Sequence, residues 1–253
     1  MSTRDAPDAS GVPATTRRGR ALTRLTGARP ILMYHGVGRV DEDPFVLFVS
    51  PERFTEQMQT LRRLGLRGVS LAELGDAAAE GAADGLVGLT FDDGYRDVLT
   101  FAAPVLERCG FTATLFVVAG LLDGENVWDP PPRRQLVDEA EVHELVRRGW
   151  EIGSHSLTHP HLTELAPGRL TDEVSTSRTS LTDLVGLDTR CFCYPYGAVD
   201  TEVVAAVSEA GYTYACAVTR DAGLPTVLAM PRIGVTERDR RMRFAAKIVI
   251  RGR

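Results

Sequence analysis

The feature that most constrains the fold of this chain is a regular alternation of short apolar runs with longer helix-like stretches. The runs have the composition of strands buried on both faces, and they lie near residues 31–35, 86–91, 112–118, 150–154, 191–195, 213–218 and 227–233. The helix-like stretches lie near residues 52–64, 71–80, 96–108, 138–148, 168–185 and 199–210. This alternation favours a parallel α/β sheet closed into a barrel, as a single domain over residues 30–253.

Residues 1–29 have a different composition from the rest of the chain. They contain six Arg and two Asp, a formal charge of +4, whereas the other 224 residues carry 23 Lys and Arg against 32 Asp and Glu, or −9. This composition predicts a basic, disordered leader. Because neither the leader nor any later segment has the apolar length of a signal peptide or a bilayer span, we expect a cytoplasmic protein.

The C-terminal run 240–251 is basic and amphipathic, with Phe244 and Ile248 on its apolar side. One interpretation is the last helix of the barrel with a solvated edge. The alternative is that both basic ends dock weakly on an anionic membrane surface. No nucleic-acid partner is expected, and no oligomeric state is predicted.

Two adjacent carboxylates, Asp92 and Asp93, follow the run 86–91 and precede Gly94. At the carboxyl end of a parallel strand, where ligands bind in such folds, one carboxylate can face a metal ion and the other the water of that ion. The alternative is that the pair caps a helix that starts near Tyr95.

Two histidines, His155 and His159, follow the run 150–154. Imidazoles four residues apart can converge on one ion, and a set of one carboxylate and two imidazoles leaves positions for water and substrate. A lone histidine usually packs in a core or lies on the surface. The pair, taken with the two carboxylates, instead predicts a metal-dependent hydrolase.

Three sequence blocks resemble motifs of the polysaccharide deacetylases, carbohydrate esterase family 4. They are Thr-Phe-Asp-Asp-Gly at 90–94, His-Ser-Leu-Thr-His at 155–159 and Phe-Cys-Tyr-Pro-Tyr-Gly at 192–197, within a resemblance that covers about residues 30–235. The resemblance implies a distorted (β/α) barrel of about seven strands. It also implies that Asp93, His155 and His159 bind a divalent ion, with Zn²⁺ favoured over Co²⁺ or Ni²⁺, that Asp92 is the catalytic base, and that the loop at Tyr196 lines the site.

Two residues typical of the family are missing from their usual positions. An arginine that steadies the base is replaced by Cys193, and the C-terminal histidine that acts as general acid has no counterpart after His161. His35, at the end of the run 31–35, is the candidate acid, because the permuted branch of the family, similar to poly-N-acetylglucosamine deacetylases, places the last strand first. Arg232 is the candidate arginine. The alternatives are a strand-end histidine bonded to the backbone and a surface arginine.

The implied reaction removes an acetyl group from an amine. Asp92 would accept a proton from water, the backbone N–H of Tyr196 would stabilise the oxyanion, and His35 would protonate the leaving amine. The products would be acetate and a free amino sugar.

Several other residues are weaker candidates for a functional role. Trp128 can stack on a sugar or pack under its loop, and His161 follows the metal motif closely enough to contact substrate. His143 is expected to be solvated on a helix. Cys191 and Cys193 lack a partner pair nearby, so a second metal site is not expected.

Three functions fit these observations. The first is a metal-dependent N-deacetylase of a glycan or glycoconjugate that contains N-acetylglucosamine. The second is an amidohydrolase of a small amide or a natural-product amino sugar, and the third is a non-catalytic glycan-binding module. Asp92 argues against the third, because a binding module has no need of a base beside its metal ligand.

Overall fold

The computed structural model describes residues 30–218 and 226–251, and parallel strands form its centre. The strands are β1 Ile31–Tyr34, β2 Gly36–Val37, β3 Phe48–Val49, β4 Arg67–Val69, β5 Leu86–Phe91, β6 Thr114–Val117, β7 Glu151–Ser154, β8 Cys191–Cys193, β9 Tyr214–Ala217, β10 Met230–Pro231 and β11 Ile233–Gly234. Eight of them follow the order β10-β9-β8-β7-β6-β5-β1-β11, while β4 pairs with β5 and β2 pairs with β3. All of the pairs are parallel.

The last two strands nearly close this sheet into a barrel. β10 pairs with β9, and β11 pairs with β1, so one stretch of chain interrupted at Arg232 joins the two ends of the sheet. The predicted distorted (β/α) barrel is therefore confirmed, with eight short strands on its path where the sequence predicted about seven.

In the described part of the chain, seven α-helices surround the strands, and local sequence signals define their ends. The helices are α1 Pro51–Leu64, α2 Leu71–Ala79, α3 Ala103–Cys109, α4 Glu139–Arg147, α5 Pro167–Val185, α6 Thr201–Glu209 and α7 Arg241–Arg251. The Ser50 side chain caps the start of α1, and Gly65 ends that helix in the left-handed conformation. Asp138 and Glu141 form a reciprocal capping box at the start of α4.

The sequence located most of these elements and missed three. Each predicted apolar run contains a strand, but the run 227–233 is divided in two at Arg232. β2, β3 and β4 are only two or three residues long, too short for an alternation pattern to reveal. The predicted helix over 96–108 begins instead with a π-helical turn, Val98–Ala102, and continues as α3.

The position of β1 shows the permuted order of elements. β1 lies between β11 and β5, with Leu32 beside Ile233 on one side and Tyr34 beside Phe91 on the other. The first strand therefore occupies the place next to the last one, and its following residue, His35, reaches the same rim as Asp92.

The C-terminal helix packs against the barrel. Phe244 and Ile248 of α7 are buried in the main core cluster, whereas Met242 and Ile250 are exposed. This is the arrangement expected for the last helix of the barrel, and membrane docking stays a prediction, as does the cytoplasmic location. The leader 1–29 lies outside the described residues. Among the helices that the structure describes, none combines the length and apolarity needed to cross a bilayer.

Candidate active site

A pocket of about 480 Å³ opens at the carboxyl ends of the barrel strands. Parallel strands bring their following loops to one rim, so residues far apart in the sequence meet there. The side chains that line the pocket include His35, Asp92, Asp93, Trp128, His155, His159, His161 and Tyr196. Of the predicted site residues, only Arg232 lies behind this lining, where it contacts Asp92.

Three buried side chains form a group that could hold a metal ion: Asp93, His155 and His159. The Nε2 atoms of His155 and His159 lie 3.3 Å and 3.4 Å from Oδ1 of Asp93. Burial alone would raise the pKa of the Asp93 carboxyl, but the two imidazoles beside it hold that pKa well below its usual value. One oxygen and two nitrogens are suitable ligands for Zn²⁺ and related divalent ions.

The hydrogen bonding of His155 fits a cation at this point. Its Nδ1 lies 2.8 Å from the backbone oxygen of Cys193, and because a carbonyl only accepts, Nδ1 must carry the hydrogen. In the neutral ring, the lone pair of Nε2 then faces the carboxylate of Asp93. Two acceptors in that position repel each other unless a proton or a metal ion lies between them, and neighbouring carboxyl groups raise the pKa of His155, so this point of the site favours a positive charge.

The backbone around the metal group is held in an unusual conformation. Asp93 and His159 have φ angles of 70° and 64°, in the left-handed region that side chains other than glycine seldom adopt. Gly94 follows with φ 77°, which its missing Cβ permits. Tyr95 is buried behind Asp93, and burial together with the charge of Asp93 raises the pKa of its hydroxyl. The turn after β5 therefore fixes Asp93 rather than leaving it on a mobile loop.

Asp92 lines the same pocket and is paired with an arginine from the last strands of the barrel. Arg232 donates from Nη1 to Oδ1 at 2.6 Å and from Nη2 to Oδ2 at 2.7 Å, a bidentate pair with both partners buried. Burial would raise the pKa of Asp92, but the guanidinium outweighs it and holds the pKa below the ordinary value. Asp92 is therefore ionised at neutral pH, as a base must be.

Arg232 is itself held by the surrounding barrel. Its Nη1 donates to the hydroxyl of Thr90 at 3.1 Å, and that hydroxyl donates to the backbone of Leu32 at 2.8 Å. Its Nη2 lies 3.1 Å from Sγ of Cys193. These contacts exclude the surface alternative for Arg232, and they place its guanidinium beside the residue that replaces the usual arginine.

Cys193 also belongs to a second group of potential ligands, with Asp92 and His155. Both oxygens of Asp92 are already engaged by Arg232, and burial raises the pKa of the Cys193 thiol, so it stays protonated. Among the described residues, we therefore assign the metal-ligating geometry to Asp93, His155 and His159.

His35 lies on the open side of Asp92. Its Nε2 is 3.8 Å from Oδ2 of Asp92, and its side chain is 19% exposed where it lines the pocket. This distance is longer than a hydrogen bond, so the imidazole can turn toward a ligand in the pocket. The structure thus brings His35 to the rim that the permuted order requires.

Aromatic rings flank the metal group. Trp128 stacks on His159 with 4.2 Å between ring centroids, and Tyr196 stacks on His161 at 3.9 Å. Tyr196 also approaches His159 edge-on at 4.7 Å, and its side chain is 46% exposed. The rings form a wall suited to the apolar face of a sugar. His143, by contrast, is exposed on α4, as predicted.

Sequence reasoning did not identify the residues that support the site. The roles of Thr90, Tyr95 and the Cys193 carbonyl depend on contacts between strands, and an ordinary threonine or tyrosine carries no signal of such contacts. For Trp128 the sequence offered stacking on a sugar or packing under its loop; the structure shows its ring stacked on His159 and partly buried against the cluster of Phe48, Tyr95 and Leu136, and contact with a sugar stays a prediction.

Comparison with known proteins identifies the family to which this chain is similar. The family model described as polysaccharide deacetylase matches residues 79–215, more than half of the chain. YxkH of Bacillus subtilis is 27% identical over 202 residues, which cover 77% of this chain and 68% of YxkH. The peptidoglycan-N-acetylglucosamine deacetylase PgdA of Listeria monocytogenes is 29% identical over 118 residues, which cover 46% of this chain but only 22% of PgdA.

A solved structure shows the same fold over most of the chain. The deacetylase PplD of Streptococcus pyogenes, determined in complex with acetate, aligns with a TM-score of 0.76 and 22% sequence identity. The alignment covers 87% of this chain and 98% of PplD. At this identity the likeness is one of fold.

Proposed function

Because this chain belongs to the polysaccharide deacetylase family, we propose that it is a metal-dependent hydrolase that removes N-acetyl groups from a glycan or glycoconjugate containing N-acetylglucosamine. The proposal rests on one observation, that two adjacent carboxylates have different surroundings suited to different roles. Asp93 faces two imidazoles, whereas Asp92 is held by an arginine and faces the same pocket. A glycan-binding module would need neither the second carboxylate nor its arginine.

The metal would be held by Asp93, His155 and His159, with Zn²⁺ favoured over Co²⁺ or Ni²⁺. When bound, such an ion polarises a carbonyl group and lowers the pKa of water toward neutrality. The left-handed turns at Asp93 and His159 hold the ligands in place beforehand, so little reorganisation accompanies binding of the ion.

Asp92 would take the proton from the attacking water. The bidentate pair with Arg232 keeps this carboxylate ionised and fixes the direction of its free lone pairs. His35, in protonated form, would deliver a proton to the nitrogen of the leaving amine, which departs poorly as an anion.

The backbone N–H of Tyr196 would stabilise the oxyanion of the tetrahedral intermediate. The rings of Trp128 and Tyr196 would hold the sugar on either side of the acetamide. An N-acetylglucosamine substrate is supported by the name of PgdA and by a pocket of about 480 Å³, which suits one sugar residue.

Acetate release from a panel of substrates tests the proposal. The panel comprises N-acetylglucosamine oligomers, lipid-linked N-acetylated sugars, natural-product acetamido sugars and simple cyclic or linear amides, each assayed with chelated and metal-reconstituted enzyme. We expect metal-dependent release from the N-acetylglucosamine glycans, at a rate lower by roughly 10²–10⁴-fold in the Asp92→Asn variant. Release from the small amides alone would replace the glycan with the small-amide alternative.

A further inference from the structure

The loop between the two histidines of the metal group contacts a buried carboxylate that the proposed reaction does not use. This carboxylate belongs to Glu173, which lies on α5 and is wholly buried. Its Oε2 accepts hydrogen bonds from the backbone N–H groups of Leu157 at 3.0 Å and of Thr158 at 2.8 Å. Its Oε1 accepts a hydrogen bond from the hydroxyl of Thr158 at 2.6 Å. Three donors from two consecutive loop residues therefore meet on one side chain.

The buried charge of Glu173 depends on these loop donors. A buried carboxylate costs free energy unless hydrogen bonds replace the lost contacts with water. Arg169, one turn earlier on α5, lies 3.3 Å from Oε1, but its side chain is 61% exposed, and ion pairs of exposed side chains contribute little. The loop supplies the other three hydrogen bonds, so Glu173 and the loop hold each other in place.

The other side of the same loop is held by the turn that follows β6. The backbone N–H of Ala119 donates to the oxygen of Ser156 at 3.1 Å, and that of Gly120 donates to the oxygen of Leu157 at 2.8 Å. A Cβ at Gly120 would lie only 2.6 Å from this oxygen, so the close approach requires glycine. The loop is therefore fixed on its carbonyl side by a backbone turn and on its N–H side by Glu173.

His159 depends on this loop more than His155 does. The backbone oxygen of Cys193 fixes the ring of His155 through Nδ1, whereas Nδ1 of His159 is buried and has no hydrogen-bond partner in the part of the chain that the structure describes. The position of the His159 ring is therefore set by its backbone and by the stacked ring of Trp128. That backbone is left-handed at both Ser156 and His159, with φ angles of 65° and 64°, a conformation that persists only where the surroundings hold it.

We propose that Glu173 is a positioning residue for the metal ion, because it holds the loop between His155 and His159 in the shape that brings both imidazoles to Asp93. Glu173 does not belong to the ligand group itself, so it acts through the histidines. The inference rests on the proposed function for the presence of the ion. The effect depends on the reach of the acceptor oxygens and not on their charge, since two N–H groups and a hydroxyl need acceptors of either kind.

The test is the affinity of the full chain for Zn²⁺, measured by competition with a chromophoric chelator. Glu173→Met removes the acceptors and leaves two buried N–H groups unpaired, so Zn²⁺ should bind about 10–100-fold more weakly. Glu173→Asp keeps the charge but is one methylene shorter, and it should weaken binding by about tenfold. Glu173→Gln keeps an oxygen for the two N–H groups at full reach and should bind Zn²⁺ nearly as the wild type does. The opposite order of the Asp and Gln variants would indicate an effect of charge and overturn the proposal.

Glu151→Met is the matched control. Glu151 also accepts hydrogen bonds from a backbone N–H, that of Ala72 at 3.1 Å, and from a threonine hydroxyl, that of Thr114 at 2.5 Å, but it lies at the opposite end of β7 from His155. The control should lower the midpoint of urea unfolding and leave the Zn²⁺ affinity unchanged. Equal weakening of Zn²⁺ binding in Glu151→Met and Glu173→Met would mean a general loss of stability and would overturn the proposal.

The spectrum of bound Co²⁺ gives a second readout, because its visible absorption depends on the geometry of the ligands. The bands should shift in Glu173→Asp and stay in place in Glu173→Gln and Glu151→Met. Should Glu173→Met fail to fold, as judged by circular dichroism, the comparison of the Asp and Gln variants decides the proposal by itself. Identical spectra and Zn²⁺ affinities in the wild type and Glu173→Asp would overturn it.

Acetate release separates this result from the proposed function. If the variants bind Zn²⁺ in the expected order but the wild type releases no acetate from any substrate of the panel, the deacetylase function fails and the role of Glu173 stands. If the wild type releases acetate and binds Zn²⁺ no more tightly than Glu173→Asp does, the role of Glu173 fails and the deacetylase function stands. A wild type that binds neither Zn²⁺ nor Co²⁺ would overturn both the metal site and the role of Glu173.

Discussion

The two halves of the candidate active site are built in different ways. The metal half consists of Asp93, His155 and His159, which follow β5 and β7 in the middle of the chain. The half around Asp92 recruits His35 from the first strand and Arg232 from the last. The metal half depends on short motifs and local turns, whereas the other half depends on the closure of the barrel.

Because the two halves are built differently, we expect substitutions in them to have different effects. Substitutions in the metal half should abolish binding of the ion, because only a few side chains ligate it. The Asp92 half should fail in catalysis or in stability while the ion stays bound. Variants in each half can therefore be compared by metal content, turnover and free energy of unfolding.

The largest effect is expected from the metal half. Asp93→Ala, His155→Ala and His159→Ala should each lose bound metal and activity together, because each removes one of three protein ligands. Metal analysis by mass spectrometry, alongside acetate release, checks this. His161→Ala is the matched control, since His161 lines the pocket but is not in the ligand group, and it should keep its metal. Full metal content in all three variants would refute the ligand assignment.

Asp92→Asn should separate loss of catalysis from loss of the metal ion. It keeps the size of the side chain but removes the base, so we expect retained metal and a rate lower by roughly 10²–10⁴-fold. Metal content and turnover are measured on the same preparation. Wild-type turnover in this variant would mean that Asp92 is not the base.

Arg232→Met should show how strongly the barrel closure depends on a buried charge pair. Removing one partner leaves Asp92 buried without its counter-charge, which should lower the free energy of unfolding by about 3–5 kcal/mol. Urea denaturation measures this, and the double variant Asp92→Asn with Arg232→Met should recover part of the loss. Arg147→Met, which breaks an exposed pair with Glu144 on α4, should cost at most about 1 kcal/mol. Equal losses for the two arginines would contradict the buried-pair argument.

His35→Ala should give the smallest and most selective effect. If His35 is the general acid, hydrolysis of an unactivated acetamide should fall by about 10²-fold, the low end for acid catalysis. An activated aryl acetate, whose leaving group needs no proton, should be hydrolysed at nearly the wild-type rate. Parallel losses on both substrates would indicate that His35 only supports Asp92.

Much of the metal half could be read from the sequence. An apolar run followed by Asp-Asp-Gly fixes a carboxylate pair at a strand end, and the four-residue spacing of His155 and His159 keeps both imidazoles near one point. These relations span few residues, so the local backbone sets them. The bounds of β5 were also predicted, from its mostly apolar run at 86–91.

For the Asp92 half, the sequence suggested candidate residues but could not show that they contact one another. Arg232 was one of two alternatives, because an arginine near a strand end is as consistent with the surface as with a buried pair. Its guanidinium reaches Asp92 across 140 residues of sequence, through the pairing of β11 with β1 and of β1 with β5. The short strands β2 and β3, the π-helical turn before α3 and the stacking of Trp128 likewise depend on neighbours distant in the chain.

The sequence by itself therefore determined the family, the alternation of strands and helices, and the motifs that carry the candidate metal ligands. Only the tertiary structure decided which arginine pairs with Asp92 and how near His35 lies to that carboxylate. The physical reason is the sequence distance between the residues that must meet. Backbone geometry fixes the relation of side chains a few residues apart, whereas parallel strand pairing and barrel closure fix the relation of side chains from opposite ends of the chain.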